Sequence, residues 1–365
     1  MGERIVLIES WLCPLPLPRE LRLGSIRYST RDYVVLRITT ESGITGCAIG
    51  YTRNTPLLEA VRMLAPHVRH ADVSLVGQLR RQFAPGWGSL VRAASLFDIA
   101  LWDIAARERA LPLEALLGTE ERDVPLMVVA GYFLDQRGPG EIVDEVRQFV
   151  DEGYSTIKLI VPGHEIEDDI DLVARVSEVL PAEVGLAIDF HGAFTDVPLA
   201  IDYCQAFERF DAVFIEDPFS SYEVGSVTAV ARGIRTPVAA GEDVSTASTY
   251  GQLLDGGVGY LRLDATASGG YTAALSGLAA VETSGTIAAP HVWPHIHHPL
   301  ASRSQFVGMV ELIPHYSTAD PVDLILREPF PLVDGRWRPP AHEGLYLPLD
   351  WERVADLSTA SWAGT

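Results

Sequence analysis

Cysteine is scarce in this 365-residue chain, and the three present, Cys13, Cys47 and Cys204, are odd in number, widely spaced and in no CxxC pattern. Their scarcity argues against a disulfide framework and against a zinc site, and it fits a reducing cytoplasm. Long apolar runs are missing too. No stretch reaches about 18 uninterrupted apolar residues, so no membrane-spanning helix is expected. The apolar segment within Met1–Ser10 is too short for the core of a signal peptide. Basic residues are outnumbered, 28 against 49 acidic ones, and the net charge of −21 argues against binding to nucleic acid or to an anionic membrane surface. A soluble, cytoplasmic protein is the expectation, and its 47% hydrophobic content can fill a large core. At 365 residues the chain suits a barrel of roughly 250 residues with a smaller companion domain.

Strand-type patterns come first: Arg4–Glu9, Asp32–Thr39 and Thr45–Ile49, with the turn Glu41-Ser42-Gly43 between the last two. The period then changes, as Leu96, Phe97, Ala100, Leu101 and Ile104 recur at helical spacing before Leu111-Pro112 and Leu116-Leu117-Gly118 close the block. Residues 1–122 therefore read as an α+β domain. From Val124–Ala130 onward strand and helix alternate, with further strands at Thr156–Val161, Val184–Asp189, Val213–Glu216, Val238–Glu242, Tyr260–Asp264, Thr286–His291 and Val310–Ile313. Helix faces are marked by Ile142, Val146, Phe149 and Val150, and by Ile166, Ile170, Val173 and Leu180. Eight near-continuous apolar strands in this alternation indicate an α/β fold, a parallel (β/α)8-type barrel over residues 123–320. The Pro-rich segment 321–365 is expected to pack back on the first domain.

The apolar run Leu186-Ala187-Ile188 ends in Asp189, and two later runs end likewise in Glu216 and Glu242, 27 and 26 residues further on. That spacing is one strand, loop, helix and loop of a barrel whose active site collects residues from strand C-termini. Three carboxylates would meet there, a donor set that suits a hard cation such as Mg2+ better than zinc. Other ionisable residues also end strands: Lys158, His191, Asp243, Asp264, His291 and Glu311. Such groups are costly on buried strands unless paired or ligated. Asp264 lies one repeat before His291, so an Asp-oriented imidazole can serve as a base.

The chain resembles the enolase superfamily, and within it the mandelate racemase-like subgroup, over nearly its whole length. The resemblance rests on Asp98-Ile99-Ala100-Leu101-Trp102-Asp103-Ile104-Ala105, Ile215-Glu216-Asp217-Pro218, Ala240-Gly241-Glu242, Asp264 followed by Gly269-Gly270, and Ala289-Pro290-His291. It implies a modified TIM barrel closed by the N-terminal capping domain, Mg2+ on Asp189, Glu216 and Glu242, and a metal-held substrate carboxylate. The reaction so implied begins with loss of the proton α to that carboxylate, giving an enediolate. His291 with Asp264 is the implied base, and Glu311 resembles the residue that hydrogen-bonds the carboxylate. A homo-oligomer is also implied. Members of the muconate-lactonising type carry Lys where this chain has Asp264, which disfavours a cycloisomerase or dipeptide epimerase.

One departure matters. The family's Lys-x-Lys pair on the second barrel strand is here Lys158-Leu159-Ile160, and Ile160 cannot move a proton. A racemase needs an acid/base group on each substrate face. Lys158 remains as a cation near the carboxylate or as an ion-pair partner inside the barrel. The stretch Asp189-Phe190-His191-Gly192 is similar to acid-sugar dehydratases of the galactonate type, in which that His protonates the departing β-hydroxyl. Two residues apart on a strand, Asp189 and His191 would point to the same side. The leading reading is a Mg2+-dependent sugar-acid dehydratase. A racemase or epimerase of a carboxylate substrate and a non-catalytic carboxylate-binding barrel are the alternatives. The tract around His295, His297 and His298 reads as substrate lining or loop rather than a second metal site. Gly269-Gly270 reads as a tight strand-to-helix turn. Specificity is expected in the loops Leu15–Thr30 and Tyr51–Thr55.

Overall fold

A computed structural model describes residues 3–23, 26–70, 72, 74–244, 246–328 and 334–364. The N-terminal domain begins as an antiparallel meander of β1 (Ile5–Leu23), β2 (Ile26–Thr40) and β3 (Thr45–Tyr51). β1 runs well past the expected end at Glu9, through Pro14, Pro16 and Pro18, with a register shift against β2 between Pro16 and Leu21. Prolines are tolerated there because β1 is paired on its other side only over Ile8–Leu12, so the later stretch has the character of an edge strand. The sheet packs on the helix Trp87–Arg107, whose Leu96, Phe97, Ala100 and Ile104 are fully buried.

That helix also carries two buried acids from the motif that opens at Asp98. Asp98 accepts hydrogen bonds from Thr272 N (3.0 Å) and Thr272 Oγ1 (2.6 Å). Its neighbour Gly270 has φ +79° and no room for a side chain, since a Cβ would sit 2.2 Å from Asp98 Oδ1. The two glycines join the short helix Ala265–Ser268 to the helix Gly270–Ser284, a helix-to-helix turn rather than the expected strand-to-helix one, and they also let the longer helix approach the cap. Asp103 accepts from Cys47 N (3.0 Å), Arg107 Nε (2.7 Å) and Leu345 N (2.8 Å), tying sheet, helix and C-terminal segment together.

The second domain holds eight parallel strands: β4 (Val124–Ala130), β5 (Thr156–Ile160), β6 (Gly185–Asp189), β7 (Ile215–Glu216), β8 (Val238–Ala240), β9 (Tyr260–Leu261), β10 (Ile287–Ala288) and β11 (Val310–Leu312). β11 pairs with β4, and Ala288 N to Phe306 O (2.8 Å) and Gly308 N to Ala288 O (3.0 Å) close the ring. The expected parallel barrel is therefore present. It has one addition the sequence pattern hides: the two-residue β12 (Arg336–Trp337) runs antiparallel against the start of β4. The C-terminal segment divides its contacts, since β13 (Ala360–Gly364) pairs with β1 of the cap.

Alternation along the strands sets the layers. Leu126, Val128, Ile157, Leu159, Leu186, Ile188 and Ile215 face the surrounding helices, while Met127, Ala187, Phe214 and Ala239 form a small inner cluster. Asp189 and Glu216, each two residues beyond an inner residue and in register with one another, rise above that plug. The barrel floor is apolar and its mouth is polar.

Candidate active site

Lys158 is the central cation. On β5 it is in register with Ala187 of the inner cluster, and its side chain is 3% exposed. Its Nζ lies 3.0 Å from Asp189 Oδ2, 3.0 Å from Glu216 Oε2 and 2.9 Å from Glu311 Oε2. Burial opposes the charge, but Asp189 and Glu216 overcome it and raise the ammonium pKa. Lys158 is thus an ion-pair partner inside the barrel. Arg262, just past β9 and fully buried, completes the set by pairing Nε with Glu216 Oε1 (2.8 Å) and Nη2 with Glu311. Sequence reasoning passed over Arg262. Its signal was the alternation Leu261-Arg262-Leu263-Asp264, where a charge interrupts an apolar run.

Several strands stop before the ionisable residues that were expected to end them. β8 ends at Ala240, β9 at Leu261 and β10 at Ala288, so Glu242, Asp264 and His291 stand on the loops above. Ladder bonds continue a short way beyond the strands, with Asp217 N on Ala239 O (3.0 Å) and His291 N on Leu263 O (2.8 Å).

His291 Nδ1 is 2.9 Å from Asp264 Oδ2. Asp264 Oδ1 accepts from Thr266 N and Thr266 Oγ1, both at 2.7 Å. Burial would raise the Asp264 pKa, but the bond to His291 and its charge bring it down to about 2. A carboxylate so held orients the ring and leaves Nε2 facing the mouth, 3.5 Å from Glu242 Oε2. Arg53, in the loop Tyr51–Thr55, reaches down from the cap to Glu242 Oε1 (3.0 Å) and to His291 Nε2 (3.5 Å).

His191 approaches from the opposite part of the strand order. β6 ends at Asp189, and His191 has φ +52°, so the pair is not two alternate residues of a strand. A turn brings them together instead: His191 N donates to Asp189 Oδ1 (2.8 Å) and Nδ1 is 3.0 Å from Oδ2. Burial disfavours the imidazolium, yet Asp189 outweighs it and raises the His191 pKa. In return, His191 and then Lys158 outweigh burial and hold Asp189 well below the usual carboxylate range. His191, Ile160 and His164 line a cavity of about 420 Å3, with Arg22 and Arg27 from the β1–β2 arm on its rim. Gly24 and Ser25, within the expected specificity loop Leu15–Thr30, lie outside the described residues.

Two of the expected carboxylates, Glu216 and Glu242, converge with Asp217, and Asp189 lies in register with Glu216 on the neighbouring strand. Ligand oxygens of Glu216, Asp217 and Glu242 lie within 4.8 Å of one another, while Asp189 turns to Lys158 and His191. Asp217, unused in the sequence reading, is pushed well above its ordinary pKa by burial and then by Glu242, Glu216 and Asp189. Glu216 Oε2 is buried without a well-aligned hydrogen bond, facing the Lys158 ammonium at 3.0 Å. Oxygen donors with surplus negative charge fit a hard divalent cation.

The histidine tract is helical and buried rather than a loop. In the helix Pro294–Arg303, His297 Nε2 accepts from Ala265 N (3.0 Å) and His298 Nδ1 lies 2.7 Å from Glu114 Oε1. The cap docks beside it, where Asp320 accepts from Tyr33 Oη, Tyr51 Oη (2.6 Å) and Trp293 Nε1 (2.9 Å).

Comparison with known proteins fits this geometry. Residues 8–118 match the N-terminal domain of mandelate racemase/muconate lactonizing enzymes, and residues 141–353 match the enolase C-terminal domain-like family. D-galactonate dehydratase of Pectobacterium atrosepticum is 24% identical over 351 residues, 89% of this chain and 91% of that protein. L-talarate/galactarate dehydratase of Salmonella typhimurium is 29% identical over 250 residues, 68% of this chain and 61% of that protein. A crystal structure of L-talarate dehydratase from Polaromonas sp. JS666 with Mg and L-glucarate superimposes with a TM-score of 0.87 at 25% identity, covering 100% of this chain and 99% of that one. No helix among the described residues is long and apolar enough to cross a membrane.

Proposed function

The chain belongs to the mandelate racemase/muconate lactonizing enzyme family of the enolase superfamily, and from that premise we propose that it is a Mg2+-dependent dehydratase of a sugar acid. The observation that carries this reading is the presence of two carboxylate-oriented imidazoles, His291 on Asp264 and His191 on Asp189, beside one acidic cluster. β-Elimination of water requires one base and one acid.

Glu216, Glu242 and Asp189 would hold the cation, with Asp217 adjoining. When bound, Mg2+ supplies Lewis-acid stabilisation of the doubly negative enediolate, which it attracts more than the singly charged substrate carboxylate. His291 Nε2 removes the α-proton, its ring fixed by Asp264 so that the lone pair faces the substrate. His191 gives a proton to the β-hydroxyl, so that the C–O bond breaks with loss of water and the enol product becomes a 2-keto acid. Lys158 and Arg262 hold Glu216 and Glu311 in place. Ile160 lies on the cavity wall and offers no second base, so racemisation through the usual lysine pair has no counterpart here. Relatives that dehydrate galactonate, talarate and galactarate support a polyhydroxylated acid as substrate. Incubation with a panel of sugar acids, with Mg2+ and with EDTA, tests this reading. Mg2+-dependent appearance of a 2-keto acid is expected, and turnover of none of the panel would count against it.

A further inference from the structure

Remote from the barrel mouth, three segments cross at a second group of ligand-type side chains. Glu114 comes from the short helix Leu113–Leu116, Glu121 from the linker into β4, and His342 from the C-terminal segment. Their ligand atoms lie within 4.8 Å of one another. Glu114 Oε2 and His342 Nε2 are buried and make no hydrogen bond, and they face each other at 3.4 Å. Their side chains are only 2% and 8% exposed.

The surroundings have the form of a ligand shell. His342 Nδ1 donates to Pro340 O at 2.9 Å, which leaves the Nε2 lone pair directed at Glu114. The other oxygen of Glu114 lies 2.7 Å from His298 Nδ1. Two lone-pair atoms facing one another repel unless a proton or a metal cation lies between them. Ligands about 2.0–2.1 Å from zinc at a tetrahedral angle sit roughly 3.4 Å apart, which is the separation seen here.

We propose that Glu114, Glu121 and His342 bind one divalent cation of the zinc class, which ties the C-terminal segment to the cap–barrel junction. Glu121 is the partly exposed ligand (16%) and leaves a fourth position for water. Arg338, half exposed and 3.8 Å from Glu121, is the competing cation. The scarcity of cysteine argues against a zinc site through its thiolate donors, whereas this donor set is imidazole and carboxylate. The rival occupant is a proton shared by Glu114 and His342.

The test uses the full chain, stripped with EDTA and titrated with Zn2+ and with Co2+ in excess Mg2+. Wild type is expected to take up a cation that Glu121→Gln and His342→Ala bind at least about tenfold more weakly, and to show the stronger visible absorbance of four-coordinate Co2+. Thermal stability should rise with Zn2+ in wild type and not in either variant. Glu121→Gln alters a partly exposed residue, so it remains informative if His342→Ala does not fold. Zn2+ uptake and Co2+ spectra that are the same in wild type and Glu121→Gln would overturn the site. So would a wild-type melting temperature indifferent to Zn2+, the result a shared proton gives.

Discussion

Replacing Lys158 by Met removes a cation that touches Asp189, Glu216 and Glu311 together, at 2.9–3.0 Å, in a position 3% exposed. Removing one partner of a buried ion pair costs about 3–5 kcal/mol, because the remaining charges stay buried and uncompensated. Arg262 still serves Glu216 Oε1 and Glu311, and His191 still serves Asp189, so Glu216 Oε2 is the oxygen left most exposed to the loss. For a chain of 365 residues the unfolding entropy is about 0.8 kcal/mol/K, and the expected fall in melting temperature is about 4–7 °C without metal. Mg2+ should restore much of it, since a divalent ion supplies charge to the same carboxylates. The pH dependence has a definite sign. Asp189 has a depressed folded-state pKa, so its stabilising contribution is present above about pH 4 and lost below it; the deficit of Lys158→Met should shrink as pH falls through that range. Differential scanning fluorimetry across pH, with and without Mg2+, measures both effects. An unchanged melting temperature, or equal Mg2+ stabilisation of variant and wild type, would refute the reasoning.

Asp264→Asn should lower kcat by about 10²–10⁴-fold with a smaller change in KM, since it loses the carboxylate that orients His291; initial-rate kinetics would show it. Burial pushes the Asp98 pKa up to about 7 despite its bonds to Thr272. A raised carboxylate pKa means that stability is lost as pH rises from about 4 to 7, so Asp98→Asn should gain on wild type by up to about 4 kcal/mol over that interval, read from urea unfolding at several pH values. Gly270→Ala should destabilise by about 2–4 kcal/mol, because φ is +79° and its Cβ would strike Asp98; the urea midpoint checks this.

The eight strands and the spacing of Asp189, Glu216 and Glu242 were legible because apolar runs repeat at a fixed interval and end in charge. Strand bounds were less so, since Glu242, Asp264 and His291 stand on loops beyond short strands, where a ladder-like bond continues at His291 N on Leu263 O. β12 is two residues long and carries no periodicity. In the site, Asp264 and His291 meet as their spacing implied. The contact of Asp189 with His191 arises from a left-handed turn that alternation does not encode. Arg53, Asp217 and Arg262 were not singled out as site residues, for separate reasons. Arg53 sits in an irregular cap loop, Asp217 follows the expected ligand by one residue, and Arg262 has the inward direction that only the barrel register reveals.

The central claim is the division of labour between two imidazoles, and solvent-deuterium exchange at the substrate α-carbon in His191→Asn tests it most directly. With a turned-over sugar acid and Mg2+ in D2O, the account predicts continued α-exchange through His291 with 2-keto acid formation reduced at least about 100-fold. Dehydration at the wild-type rate in that variant would contradict it.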